Sequence, residues 1–235
     1  DDPVFIGDLW RCLLLVLLSL ALQLPFALAM AVALNQKVRG RAVYRMLFFA
    51  PYVLSEVVTA VVWRQILRPT GLANHVLETI GLGGARQIWI DDPDLVLYSL
   101  FVVLSWKYFG FHMIILLAGL QQIPKELHEA AAIDGASSWQ TFRYVTLPLL
   151  APALRVSVFL SIIGALQQFD LVWVTTKGGP IGASSTMGTF LYERYRDQLL
   201  GYASAVSVII FGLSLLVAIP YQRFAMRRDL QGAVT

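Results

Sequence analysis

The stretch IPKELHEAAAIDGASSWQTFRYVTLPLL, residues 123–150, is polar and helix-forming, yet long apolar runs flank it on both sides. Pro124 suits the first turn of a helix, Glu126 and Glu129 fall near its positive end, and Gly135 can take the left-handed conformation that ends it. Leu127, Ala130 and Ala131 share one face, and the small alanines permit close approach of another surface. Past the glycine turn a second helical piece is expected from Ser138 to Tyr144, and Pro148 opens the next apolar run. The residues by themselves leave two readings open: an interfacial helix that merely connects two spans, or an element on which another surface docks.

Outward from this stretch the chain is a membrane protein. Its 235 residues are 57% hydrophobic and only 14% charged, with a mean hydropathy of +0.67. Soluble domains run about 45–50% apolar and about 25% charged. A helix needs roughly 20 apolar residues to cross a hydrocarbon core of about 30 Å. Five runs approach or exceed that length: Leu9 to Leu34, Met46 to Leu67, Leu95 to Leu120, Leu149 to Phe169 and Tyr202 to Met226. Helix is expected in each, because lipid offers no partner to an unpaired amide and none of the runs alternates as a barrel strand would. Cys12 is the only cysteine, so an intramolecular disulfide and a cysteine metal cluster are excluded.

Basic residues in short loops set the orientation. Lys37, Arg39, Arg41 and Arg45 follow the first run, and Arg223, Arg227 and Arg228 end the last, whereas the stretch from Arg68 to Asp94 holds Glu78, Asp91, Asp92 and Asp94. These place the 123–150 stretch and the C-terminus in the cytoplasm. Five spans then leave Asp1 outside without a visible signal segment, so a sixth, upstream span is expected in the intact chain. On the outer side, Leu72, Val76, Leu77 and Ile80 predict a short interfacial helix, and Trp89 and Tyr98 fit an aromatic belt. The second outer segment carries Gly178, Gly179 and Pro180, then Tyr192, Tyr195 and Arg196, either as a docking surface or as a solvated connection.

Charges within the runs cost a few kcal/mol unless paired or hydrated. Glu56 and Arg64 lie two helical turns apart, Arg155 can snorkel, and Lys107 sits mid-run, where its ammonium must face a cavity or a partner. Tyr108, Phe109 and Phe111 beside it offer rings on which a sugar can stack; Ser161, Gln167 and Gln168 offer hydrogen bonds, to a ligand or to other helices. The chain has no GxxxxGK[ST] phosphate loop, and His75, His112 and His128 are too scattered for a catalytic cluster.

Glu129-Ala130-Ala131, three residues, Gly135, nine residues, then Val145-Thr146-Leu147-Pro148 resembles the EAA loop of permease subunits from ATP-binding-cassette (ABC) importers. Leu34 to Gly40, Phe49 to Ser55, Trp106 to Gly110 and Gly178-Gly179-Pro180 are similar to the carbohydrate branch, in particular to maltose permeases. The resemblance implies an all-α polytopic bundle of the type I ABC importer permease fold in the bacterial inner membrane. This chain would not be an enzyme and would bind no cofactor. A second permease, two ATPase subunits carrying ATP and magnesium, and an external sugar-binding protein are the implied partners. Glu129, Ala130, Ala131, Asp134 and Gly135 would couple to the ATPase; Leu104, Lys107, Tyr108, Phe111, Ser161 and Gln168 would hold the sugar; Trp173, Gly178, Gly179, Pro180 and Tyr192 would meet the binding protein. Glycerol phosphate is an alternative cargo, with Lys107 as countercharge. An ion-driven secondary transporter is the alternative machine, and would bring broken helices with ionisable groups at the midplane and an internal repeat. No convincing repeat is visible in the sequence, although Pro25 and Pro51 could kink their spans.

Overall fold

The computed structural model describes residues 2–36 and 39–226; Lys37, Arg227 and Arg228, used above for orientation, lie outside the described residues. The described residues form helices and connecting turns. In chain order these are α1 (Pro3–Asn35), α2 (Arg41–Val53), α3 (Glu56–Ile66), α4 (Leu72–Thr79), α5 (Val96–Gln121), α6 (Lys125–Ile133), α7 (Ser138–Leu149), α8 (Ala151–Leu166), α9 (Asp170–Thr176), α10 (Met187–Arg196) and α11 (Leu200–Arg223). Among the described residues, α1, α5 and α11 are each long and apolar enough to cross a membrane. The pairs α2–α3 and α7–α8 pass the same test together but are bent by 97° and 67°, giving up to five spans.

The run from Met46 to Leu67 is therefore not one straight helix. Pro51 has no amide hydrogen to give the helical ladder, and its ring crowds the preceding turn. Leu54 and Ser55 turn extended, with ψ of 142° and 151°, and the Ser55 hydroxyl then starts α3 by accepting from the Val58 amide at 3.2 Å. Pro25 acts more gently. Two residues before it the chain widens into a π-turn, Ser19–Gln23, where the Leu24 amide bonds back to the Ser19 carbonyl and α1 continues unbroken. A second π-turn, Phe142–Thr146, precedes Pro148 in the same way.

Two apolar clusters mark opposite ends of the bundle. One joins Ala27, Ala31 and Leu34 of α1 to Met113, Leu116, Leu117 and Leu120 of α5, beside the 123–150 stretch. The other joins Ala60 of α3, Val96, Leu100 and Val103 of α5, and Leu171 and Val172 of α9. Helix α5 is the central post: 61% of its most apolar stretch is buried, against 11% for α11, which leaves α11 to lipid or to another subunit. The expected short helix is α4, with Leu72, Val76 and Ile80 exposed. Buried Asn74 ties it down, donating to the Pro69 and Gln87 carbonyls and accepting from the Trp89 indole at 2.9 Å. The Trp89 nitrogen therefore serves this segment.

Candidate transport site

Between the two clusters lies a cavity of about 350 Å³. Helix α1 contributes Leu15, Ser19 and Gln23 to it, so the π-turn faces the space, with the Ser19 hydroxyl donating to the Gln23 side chain. The broken pair contributes Tyr52 from the end of α2 and Glu56 from the first turn of α3. Helix α5 supplies Phe101, Leu104, Tyr108, Phe111 and His112, while the region from Leu160 to Asp170 closes the far wall. Leu104, Tyr108, Phe111, Ser161 and Gln168, five of the six cargo residues expected from the sequence, line this one space.

Lys107 does not. Its side chain is 2% exposed and turns to the helix break, where the ammonium donates to the Leu54 carbonyl and, at 3.5 Å, to the Tyr52 carbonyl. Both oxygens lie in the last turn of α2 or just past it, at the negative end of its dipole, and a cation there is stabilising. The sequence marked Lys107 as needing a cavity or a partner, and backbone carbonyls turn out to be that partner.

Across the break, Glu56 accepts from the Tyr108 hydroxyl and, weakly at 3.4 Å, from the Gln168 amide. Tyr52 stacks on Phe111 at 4.6 Å between ring centres and meets Tyr108 edge-on at 6.0 Å. Two further polar atoms on the wall, Ser161 Oγ and His112 Nδ1, are buried and have no hydrogen-bond partner among the described residues. Such atoms are costly to leave unmet. With Gln23, Glu56, Gln167, Gln168 and Asp170 also on the lining, the space suits a ligand carrying its own donors and acceptors. Glu56, Gln23 and the π-turn were absent from the expected site, because nothing local brings residues 19, 23 and 56 to residue 108.

At one end of the bundle, α6 stops in a double hydrogen-bond turn: Ala136 donates to the Ala131 carbonyl and Gly135 to that of Ala132, with Gly135 at φ +76°. Glu129, Ala130, Asp134 and Gly135 are exposed and Ala131 is half-buried. So are three large apolar groups, Ile133 (86%), Trp139 (70%) and Tyr144 (73%). His128 Nε2 and the Thr146 hydroxyl, 3.1 Å apart, fasten α6 to the α7 segment.

At the other end, Trp173 and Tyr192 come together edge-to-face at 4.7 Å, with Phe169 beside both. Gly178, Gly179 and Pro180 form a separate turn after α9, held by the Ser184 hydroxyl donating to the Gly179 carbonyl at 2.6 Å. A hydrogen-bonded path runs inward from there. Fully buried Asp8, paired with Arg11, accepts from Ser185; Ser185 meets Thr189; and Thr186 of the same capping box donates to the Gln168 carbonyl on the cavity wall.

The family model described as "Binding-protein-dependent transport system inner membrane component" matches residues 23–229. The trehalose/maltose transport system permease protein MalF of Thermococcus litoralis is 35% identical over 213 residues, covering 90% of this chain and 72% of that protein. Among solved structures, a bacterial ABC transporter involved in import of the acidic polysaccharide alginate is similar with a TM-score of 0.83 at 25% identity, over 97% of this chain and 80% of that one. A bacterial alginate ABC transporter in complex with an alginate pentasaccharide-bound periplasmic protein is similar with a TM-score of 0.79, again at 25% identity and the same coverage. The helical architecture is that of a type I ABC importer permease. With most of its length inside the family model, this chain belongs to the inner-membrane components of binding-protein-dependent transport systems.

Proposed function

We propose that this chain is a multi-pass permease subunit of an ATP-driven carbohydrate importer in the bacterial inner membrane, its C-terminus cytoplasmic. It works with a second homologous permease, two ATPase subunits that carry ATP and magnesium, and an external sugar-binding protein. It catalyses no reaction and binds no cofactor of its own. The observation that carries the reading is the cavity at the helix break, where aromatic rings and hydrogen-bonding side chains line one space. Sugars offer matching apolar faces and hydroxyls. Similarity to a trehalose/maltose permease and to alginate importers supports the same cargo class.

In this mechanism ATP-driven closure of the ATPases pushes on α6. Helix α5 ends at Gln121 and α6 begins at Lys125, so the push passes directly into the central post and its Lys107 contact with the α2–α3 break. Tyr52 and Glu56, on either side of that break, move with it and change the cavity from one access to the other. The outer Trp173–Tyr192 cluster and the Gly178–Pro180 turn receive the binding protein, and the similar alginate transporter in complex with its periplasmic protein supports that role.

A broken helix carrying Glu56, with Lys107 of α5 against its break, is also a feature of ion-driven carriers. The exposed α6 loop and the family membership favour the ATP-driven machine. Purification of the tagged chain from its native membrane tests this: an ATPase and a second permease should accompany it, and proteoliposomes should take up sugar only with internal ATP. An active homo-oligomer transporting without ATP would overturn the proposal.

A further inference from the structure

We infer that Glu56 is a cargo-contacting, specificity-determining residue, accepting hydrogen bonds from the hydroxyls of a neutral sugar and repelling cargo that carries carboxylate, sulfonate or phosphate. The inference rests on the carbohydrate reading above and narrows it.

Three observations carry it. First, the carboxylates on the cavity wall are Glu56 and Asp170, and among the described residues no lysine or arginine lines it. Lys107, whose neighbour Tyr108 lines the cavity, is itself turned to the carbonyls of Leu54 and Tyr52. An anionic group entering between two carboxylates, in surroundings less polarisable than water, meets repulsion that Lys107, close enough to feel the Glu56 charge but held by backbone carbonyls, offsets only in part.

Second, the Glu56 carboxylate has capacity left. Its two oxygens offer about four acceptor positions; Tyr108 fills one, and the Gln168 amide reaches a second only at 3.4 Å. The Ser55-capped start of α3 favours negative charge at this position. A carboxylate already accepting from Tyr108 is held in one orientation, ready for a sugar hydroxyl in a charge-assisted bond.

Third, Ser161 on α8 and His112 on α5 line different walls of the cavity and are 6% and 4% exposed; the Ser161 Oγ and His112 Nδ1 atoms are buried just beneath its surface, and neither has a hydrogen-bond partner among the described residues. A hydroxyl can both donate and accept, so a polyol suits a lining that mixes the Glu56 carboxylate with the Gln167 and Gln168 amides. A phosphate dianion offers only acceptors and leaves Glu56 opposed.

The test is ligand binding to the assembled importer in nanodiscs without its binding protein, so that the cavity alone selects. Saturation-transfer NMR would compare a panel of neutral di- and trisaccharides with the terminal uronates of the same sugars and with glycerol 3-phosphate. The neutral sugar that binds tightest should do so at least tenfold better than its uronate. Glu56→Gln should weaken it about tenfold and shrink the neutral-over-uronate ratio to under threefold, whereas Glu56→Asp should weaken binding and keep the ratio. Equal or tighter binding of the uronate or of glycerol 3-phosphate by the native importer would overturn the inference, as would an unchanged ratio in Glu56→Gln. Should Glu56→Gln fail to assemble, the native ratio and Glu56→Asp still decide. If no sugar of either charge binds while the importer hydrolyses ATP, the carbohydrate reading itself falls; sugar binding without charge preference removes only the role given to Glu56.

Discussion

Gly135 and Gly110 are both glycines for a reason, but for different ones. At Gly135 a Cβ would meet nothing within 4 Å, so the constraint is the backbone φ of +76° alone. A β-branched residue there costs roughly 1–2 kcal/mol in the left-handed region, and the end of α6 should unwind sooner than adopt it. Gly135→Val is therefore expected to lower sugar transported per ATP hydrolysed, with Gly135→Asn retaining more coupling, both rates being measured in the same proteoliposomes. At Gly110 the backbone angle is ordinary, but a Cβ would stand 1.9 Å from the Phe48 carbonyl oxygen, so α2 rests directly on α5. Gly110→Ala must push these helices apart. A loss of about 1–3 kcal/mol should appear as a lowered melting temperature of the purified complex. The first glycine could be read from its place after a run of helix formers. The second could not, because its neighbour is supplied by another helix.

Between single residues and the whole bundle, the broken second span was only half legible. Pro51 announced a weak point, yet it does not give the size of the 97° bend, and the donor to the freed carbonyls is Lys107 of another helix. Lys107→Met would leave the Leu54 carbonyl without its donor, a loss of about 1–3 kcal/mol if the oxygen stays buried. The maximal uptake rate and the melting temperature should both fall, and Lys107→Arg should recover part of each. The π-turn in α1 offers a second element-scale test. Pro25→Ala returns an amide donor and lets the turn tighten to ordinary α-helix, which rotates Ser19 relative to Gln23. Cargo KM should rise while the complex still assembles, as followed by uptake titration and gel filtration. Pro25 was visible in the sequence as a possible kink, but the form the helix takes there, a widened turn opening on the cavity, was not.

As a whole molecule the chain is built to be covered. Ile133, Trp139 and Tyr144 project from one end, and α11 keeps only 11% of its most apolar stretch buried. Exchange of Ile133 and Trp139 together for aspartate should reduce recovery of the ATPase in a pull-down about tenfold, while the two permeases remain associated. Much of this plan was readable in the sequence: apolar blocks of spanning length, and a loop whose spacing of Glu129, Gly135 and Pro148 is distinctive. The cavity was readable in its α5 and α8 walls, where ring and polar residues interrupt apolar runs, and unreadable where α1 and α3 complete it from far along the chain. The separation of Lys107 from its acceptor has a consequence for how the protein is made. Leu54 precedes Lys107 by 53 residues, so its carbonyl is synthesised first and can already be in the bilayer when α5 arrives. A lysine at the centre of a lone helix costs about 2.5–3.5 kcal/mol to insert. Here the helix bearing it follows its acceptor into the membrane, and a chain permuted to make α5 before α2 would have to insert that charge unaided.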